Sequence, residues 1–311
     1  MPGAGLGGGL ESVINFYGRG RDAIELIVDE GSFEENLCGG ERLDPEYAES
    51  ALVGTATISG EIATVIANDA GFGNPRFKMV YSGLMGLEEG LKMAYAVYLT
   101  IKADKDKPLT EKRPIILVVD TPGMSPGKVE EIIGIYKSTG AYQLASAEAR
   151  RLGHPIVAMI IGRAISGGFL CHGLQADRIL ALSDTFGTMI HVMPLIGIAR
   201  VTKINIMLLE ELAESNPVFA AGVSHFYNLG GVDGIVETIE DMRASVVTQI
   251  AEIRRLKAGG EHDEVGPWSR LMSGIRRGGR KTSEKVIQLM EDEFEKALLS
   301  WLGGEDDEPT P

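Results

Sequence analysis

Cysteine is scarce: the 311 residues hold two, Cys38 and Cys171. Two thiols without a Cys-x-x-Cys pair or a Cys/His cluster exclude a disulfide framework and a structural zinc site, and both read as reduced, space-filling side chains. Basic residues are in deficit, with 30 Lys+Arg against 44 Asp+Glu and a formal net charge of −14. A general nucleic-acid binder needs a basic face to neutralise phosphates, so that class is excluded. Long apolar runs are missing as well. The strongest, Ile156–Ile161, falls far short of the roughly 20 residues of a membrane-spanning helix. The N-terminal MPGAGLGGGLESV lacks the basic start and the apolar stretch of a secretory signal. A cytoplasmic protein without an integral membrane segment is expected, and no repeat of 20–50 residues is visible.

What the chain has in excess is glycine, 40 residues, about 13% against the roughly 7% of average proteins. No Gly-x-y period accompanies it, so the glycines serve turns or backbone that must approach something closely. Residues 1–50 read as a partly flexible N-terminal extension, 51–257 as the main domain and 258–311 as a helical extension with an acidic tail at Glu305–Glu308. Ala51–Ile58 and Glu61–Ala67 flank Ser59-Gly60 as a hairpin. A helix is expected from Gly86 to Lys102, with Leu87, Leu91, Ala94, Tyr95 and Tyr98 on one stripe. Then come a strand over Pro114–Asp120, a helix over Lys128–Arg151, strand Ile156–Ile161, a helix from about Gly167 and strand Arg178–Leu182. This alternation implies an α/β fold with parallel strands and right-handed crossovers. Helices are further expected over Ala199–Glu214, Thr238–Lys257 and Lys281–Leu302.

Ligands of open α/β sheets sit at the carboxyl ends of strands. Two such ends here carry little but glycine: Asp120-Thr-Pro-Gly-Met-Ser-Pro-Gly127 and Gly162-Arg-Ala-Ile-Ser-Gly-Gly-Phe169. Each leads from a buried strand into a helix start, where free backbone N–H groups favour negative charge. Such amides can stabilise an oxyanion without any side chain. Tight turns and close helix–sheet packing would also explain the glycines.

The stretch from Val119 to Leu182 resembles acyl-CoA carboxyltransferases of the crotonase superfamily. The Thr-Pro-Gly-x-x-Pro-Gly loop followed by Glu130-Glu131, the long helix and the Gly-Gly helix start carry that resemblance. Gly86-Leu-Glu-Glu-Gly, the Gly162–Arg178 segment, Ala199-Arg-Val-Thr-Lys, Pro217-Val-Phe-Ala, Gly230-Gly-Val and Arg277-Gly-Gly-Arg280 are similar to the γ-subunit family of malonate decarboxylase. The resemblance spans roughly residues 50 to 300. It implies a ClpP/crotonase-like spiral of ββα units with C-terminal helices. It also implies a site shared with a carboxyltransferase β subunit, an acyl-carrier protein bearing the malonyl thioester on its prosthetic group, and an acyltransferase subunit. No cofactor is expected on this chain itself. Losing CO2 leaves charge on the thioester enolate, and the resemblance assigns its stabilisation to backbone N–H groups of Gly123 or Met124 and of Gly168 or Phe169, beside Gly167.

Side-chain candidates are Ser166 and His191 for protonation or positioning, Arg163 and His172 for substrate binding, and Arg200 and Lys203 for a phosphate-bearing arm. Arg276, Arg277, Arg280 and Lys281 form the first candidate patch for an acidic carrier. Two other readings stand beside this one. Ser166 and His191 imitate the spacing of Clp-type serine peptidases, although no motif supplies the third member of a triad. A biotin-dependent carboxyltransferase would use the same glycine turns. The chain has no Met-Lys-Met biotinylation motif, so biotin would come from another protein.

Overall fold

The computed structural model describes residues 15–193, 195–215 and 221–303. The early glycine run, the Pro217 motif and the acidic tail lie outside them. Helix α1 (Gly20–Ile27), strand β1 (Glu34–Glu35) and a small hairpin of β2 (Leu37–Cys38) and β3 (Glu41–Arg42) come first. The expected hairpin follows as β4 (Ala51–Ile58) and β5 (Glu61–Asn68). Its turn residues Ser59 and Gly60 have φ of +52° and +77°, as a right-twisted two-residue hairpin requires. Asp29 accepts both turn amides, at 3.0 and 2.8 Å.

Helix α2 (Leu87–Ala103) leads to β6 (Ile115–Thr121). The long helix expected after the Pro-Gly loop is two helices, α3 (Lys128–Ile133) and α4 (Ile135–Arg151), because Gly134 at φ +108° breaks the helical ladder. Strand β7 runs from Ile156 to Ile165, four residues longer than the apolar run suggested. It enters α5 (Ser166–Cys171), followed by β8 (Arg178–Leu182) and β9 (Met189–His191). The helix expected over Ala199–Glu214 is also two, α6 (Leu195–Thr202) and α7 (Ile206–Ser215), with Lys203 between them at φ +63°. Then come α8 (Val223–Asn228), β10 (Gly234–Val236), α9 (Asp241–Ala258), α10 (Gly266–Arg276) and α11 (Ser283–Gly303).

Eight strands form one sheet in the order β1-β4-β5-β6-β7-β8-β10, with β9 beside the outer half of β7. From β5 to β10 every pairing is parallel. Residues alternate between two cores, as the two-residue period of a strand dictates. Ile115, Leu117 and Val119 join α2, α4 and α5 on one face, and Ile116 and Val118 join α1 and α9 on the other. Phe16, Ala23, Ile24 and Ile27, from the first described residues, are buried in that second core. Helix α2 turns the stripe of Leu91, Tyr95 and Tyr98 outward, and Met93, Ala96, Val97 and Leu99 inward. Both faces are apolar, and the one that meets α4 and the sheet is buried.

Candidate active site at the ends of two parallel strands

Beyond Val119 and Ile160 the regular β6–β7 register shifts, and Thr121 pairs with Ala164 instead. Strand β8 has left by this level, so the outer half of β7 is flanked by β9, with Ile165 opposite His191. The two glycine turns therefore emerge side by side. A Cβ on Gly168 would lie 2.8 Å from the carbonyl carbon and oxygen of Gly123 and 2.7 Å from Thr121 Oγ1. No side chain fits there, so the close approach of the two turns is what demands glycine. A Cβ on Gly167 would meet Met124 Sδ at 2.4 Å.

The backbone donors in these turns are not equivalent. Gly123 N–H donates to Thr121 Oγ1 at 3.3 Å. Met85 pairs with the loop through Met85 N–H to Gly123 O, 2.9 Å, and Ser125 N–H to Met85 O, 2.8 Å. Among the described residues nothing accepts from the Met124 N–H between them. On the other turn, a helix that begins at Ser166 leaves the Gly167 and Gly168 amides without a carbonyl one turn earlier, and Phe169 is the first to find one. Glu130, buried beneath the loop, accepts from Ser125 Oγ at 3.1 Å and keeps the Pro-Gly segment folded over α3.

Ser166 is exposed and sits at φ +52° on the strand–helix junction, a left-handed conformation that a serine holds only where its surroundings impose it. With His191, Phe169, Leu170, Leu174, Val192 and Phe226 it lines a cavity of about 100 Å³. Burial alone lowers the His191 pKa, and its Nε2 is buried without a partner. Among the described residues no hydrogen bond joins Ser166 to His191, and no carboxylate orients the imidazole. Among these residues the pair lacks the third member that a peptidase triad needs.

Three expectations are corrected. His172 is fully buried, with Nδ1 2.9 Å from the Tyr142 hydroxyl and Nε2 3.0 Å from Val118 O. Both ring nitrogens are used and burial pushes its pKa down to about 4, so it is a neutral strut rather than a substrate ligand. Arg163 is no free cation at the site mouth: its Nε and Nη2 each donate to Asp120 at 2.8 Å. In the proposed carrier patch, Arg277 donates to the carbonyls of Tyr227 and Val232 and Arg280 to that of Leu229. Their charges are spent on the α8–β10 connection, leaving Arg276 and Lys281 exposed. Arg200 and Lys203 are exposed at the end of α6.

The reading of the sequence missed Tyr17 and Asp120. Asp120 is 1% exposed at the end of an otherwise apolar strand, and an acid in that setting, followed by a glycine turn, was the available signal. Among the described residues no group of His, Cys, Asp and Glu is arranged to hold a metal ion. No helix there is long and apolar enough to cross a membrane.

Residues 81–294 match the family model described as malonate decarboxylase gamma subunit. The chain belongs to that family. It is 59% identical over 278 residues to the malonyl-S-ACP:biotin-protein carboxyltransferase MADD of Malonomonas rubra, covering 89% of this chain and 95% of the relative. The fold superposes with a TM-score of 0.68 on a chain of a Pseudomonas malonate decarboxylase hetero-tetramer crystallised with coenzyme A, at 30% identity, covering 83% of this chain and 96% of that one. A Pseudomonas MdcD–MdcE hetero-dimer gives 0.65 at 30% identity, covering 88% of this chain and 99% of that one. The chain thus has the crotonase-type carboxyltransferase fold that the resemblance implied.

Proposed function

We propose that this chain is the γ-type carboxyltransferase subunit of a cytoplasmic assembly that removes the carboxylate of a malonyl thioester carried by an acyl-carrier protein. The observation that carries the reading is the convergence of the two glycine turns, with the unaccepted Met124 amide on one and the first-turn Gly168 amide on the other. As the C–C bond to the carboxylate breaks, its electron pair moves into the thioester enolate. Fixed amides aimed at the developing oxyanion lower that barrier because they need no reorganisation at the moment of reaction. Proton delivery to the enolate carbon then leaves an acetyl thioester. His191 and Ser166, at the adjoining cavity, are the groups proposed to hold or relay that proton. A β-type carboxyltransferase subunit would complete the site, and an acyltransferase subunit would charge the carrier.

A second reading concerns the fate of the carboxyl group. The Malonomonas rubra relative is named for transfer to a biotin protein, which favours biotin, carried on another chain, as the acceptor. Transfer would require an oxyanion site for the biotin ureido oxygen as well as one for the enolate. Purified chain reconstituted with its β-type partner and malonyl carrier separates the readings. Acetyl carrier and CO2 formed without a biotin protein, unaffected by avidin, support direct release; strict dependence on biotin protein and loss with avidin support transfer. Turnover by this chain alone would remove the shared-site reading.

A further inference from the structure

One carboxylate links the elements that carry the candidate site. Asp120 Oδ1 accepts from the Arg163 backbone N–H and from Arg163 Nε, both at 2.8 Å. Its Oδ2 accepts from Arg163 Nη2 at 2.8 Å and from the Gly18 backbone N–H at 2.7 Å. The side chains of Asp120 and Arg163 are 2% and 15% exposed. The guanidinium also donates from Nη2 to Ser82 O at 3.1 Å, and its carbon lies 5.5 Å from the centre of the Tyr17 ring. The Tyr17 hydroxyl donates to Gly187 O, in the turn that leads into β9. Gly162 makes room for the arrangement, since a Cβ there would sit 2.7 Å from Asp120 Oδ1 and 2.9 Å from the Tyr17 ring.

Asp120 stands three residues before Gly123, Arg163 five before Gly168, and Gly187 four before His191. A bidentate carboxylate–guanidinium pair fixes angle as well as distance, and a buried ion pair is by itself a weak source of stability. We infer that Asp120, Arg163 and Tyr17 are positioning residues, a clasp that holds the two glycine turns and the His191 strand in the relative orientation that turnover requires. The inference rests on the proposed carboxyltransferase reading. It moves Arg163 from the substrate to the frame that aims the amides. None of the three side chains touches the reacting atoms.

The test uses the complete complex with malonyl carrier, and compares Asp120→Asn, Arg163→Lys and Tyr17→Phe with wild type. Asp120→Asn and Arg163→Lys keep shape or charge but lose the charged fork. Each is expected to lower kcat by roughly 10- to 100-fold, the scale of a misplacement of about 1 Å, with KM changed less than about threefold. Tyr17→Phe keeps the ring under the guanidinium and loses only the bond to Gly187, so a fall of about threefold is expected and its folding is not in question. A raised KM at unchanged kcat in Arg163→Lys would return Arg163 to the substrate and overturn the inference. So would a lowered melting temperature with unchanged kcat per folded complex, which is the signature of a purely structural pair. If wild-type complex turns over no malonyl carrier, the carboxyltransferase reading fails first; if wild type is active and the variants match it, only the clasp fails.

Discussion

Buried ion pairs brace both ends of β7, and they are built differently. At its first residue, Asp177 Oδ2 accepts from the Ile156 N–H at 2.9 Å and from Lys257 Nζ at 2.8 Å. Lys257 also donates to the carbonyls of His154 and Arg150, at 3.0 and 3.3 Å. A compact ammonium with three donors gathers several carbonyls and ties α9 to the end of α4, without imposing a plane. At the other end, the Asp120–Arg163 fork does impose one, directly beneath the glycine turns. Burial pushes the Asp177 carboxyl up and the Lys257 ammonium down against their mutual attraction. The difference separates holding elements together from aiming them.

The largest effect that would test this contrast is at the end away from the glycine turns. Lys257→Met leaves Asp177 buried and unpaired, which costs about 3–5 kcal/mol in denaturant unfolding, while kcat of the folded fraction stays at the wild-type value. A parallel loss of kcat would erase the distinction between the two ends. Next, Gly168→Ala presses a methyl group into the Gly123 carbonyl and should cut turnover by roughly 10²- to 10³-fold, as loss of an oxyanion donor does, with partner binding intact in co-purification. Full activity would take the glycine turns out of the mechanism.

The smallest effect concerns His172, which hangs from Val118 of β6 between the two ends. Its folded pKa of about 4 lies below the unfolded value of about 6.5, so the unfolded chain takes up the proton first. The stability this histidine confers is complete above pH 6.5 and declines as pH falls towards 4, by at most about 3 kcal/mol. Melting temperatures measured from pH 7.5 to 4.5 should fall less steeply in His172→Gln than in wild type. Equal slopes would show that His172 does not stay neutral in the fold.

Much of this was legible in one dimension. The alternation of Ile115 to Val119 and of Ile156 to Ile160 between two apolar faces is written in the residues, and so are the strand-to-helix glycine turns. The boundaries were less so. Gly134 and Lys203 divide helices whose apolar spacing reads straight through them, because periodicity reports which face is apolar and not where a residue adopts positive φ. The outward turn of Leu91, Tyr95 and Tyr98 had the same cause: helix α2 offers two apolar faces, and only the position of α4 and the sheet selects one.

Side-chain roles were the least readable. Arg163 beside a glycine turn has the same letters whether it meets a substrate carboxylate or Asp120, 43 residues earlier. His172 looks like a site histidine until Tyr142 and Val118 are seen to occupy both its nitrogens. The sequence by itself determined the parallel α/β class, the two glycine turns and the family, because hydrophobic period and turn chemistry are local properties. Which amides remain without an acceptor, and which charges cancel one another, was decided only by the tertiary structure. Hydrogen bonds and ion pairs act over about 3 Å of space, and the chain brings those partners together from dozens to more than a hundred residues apart.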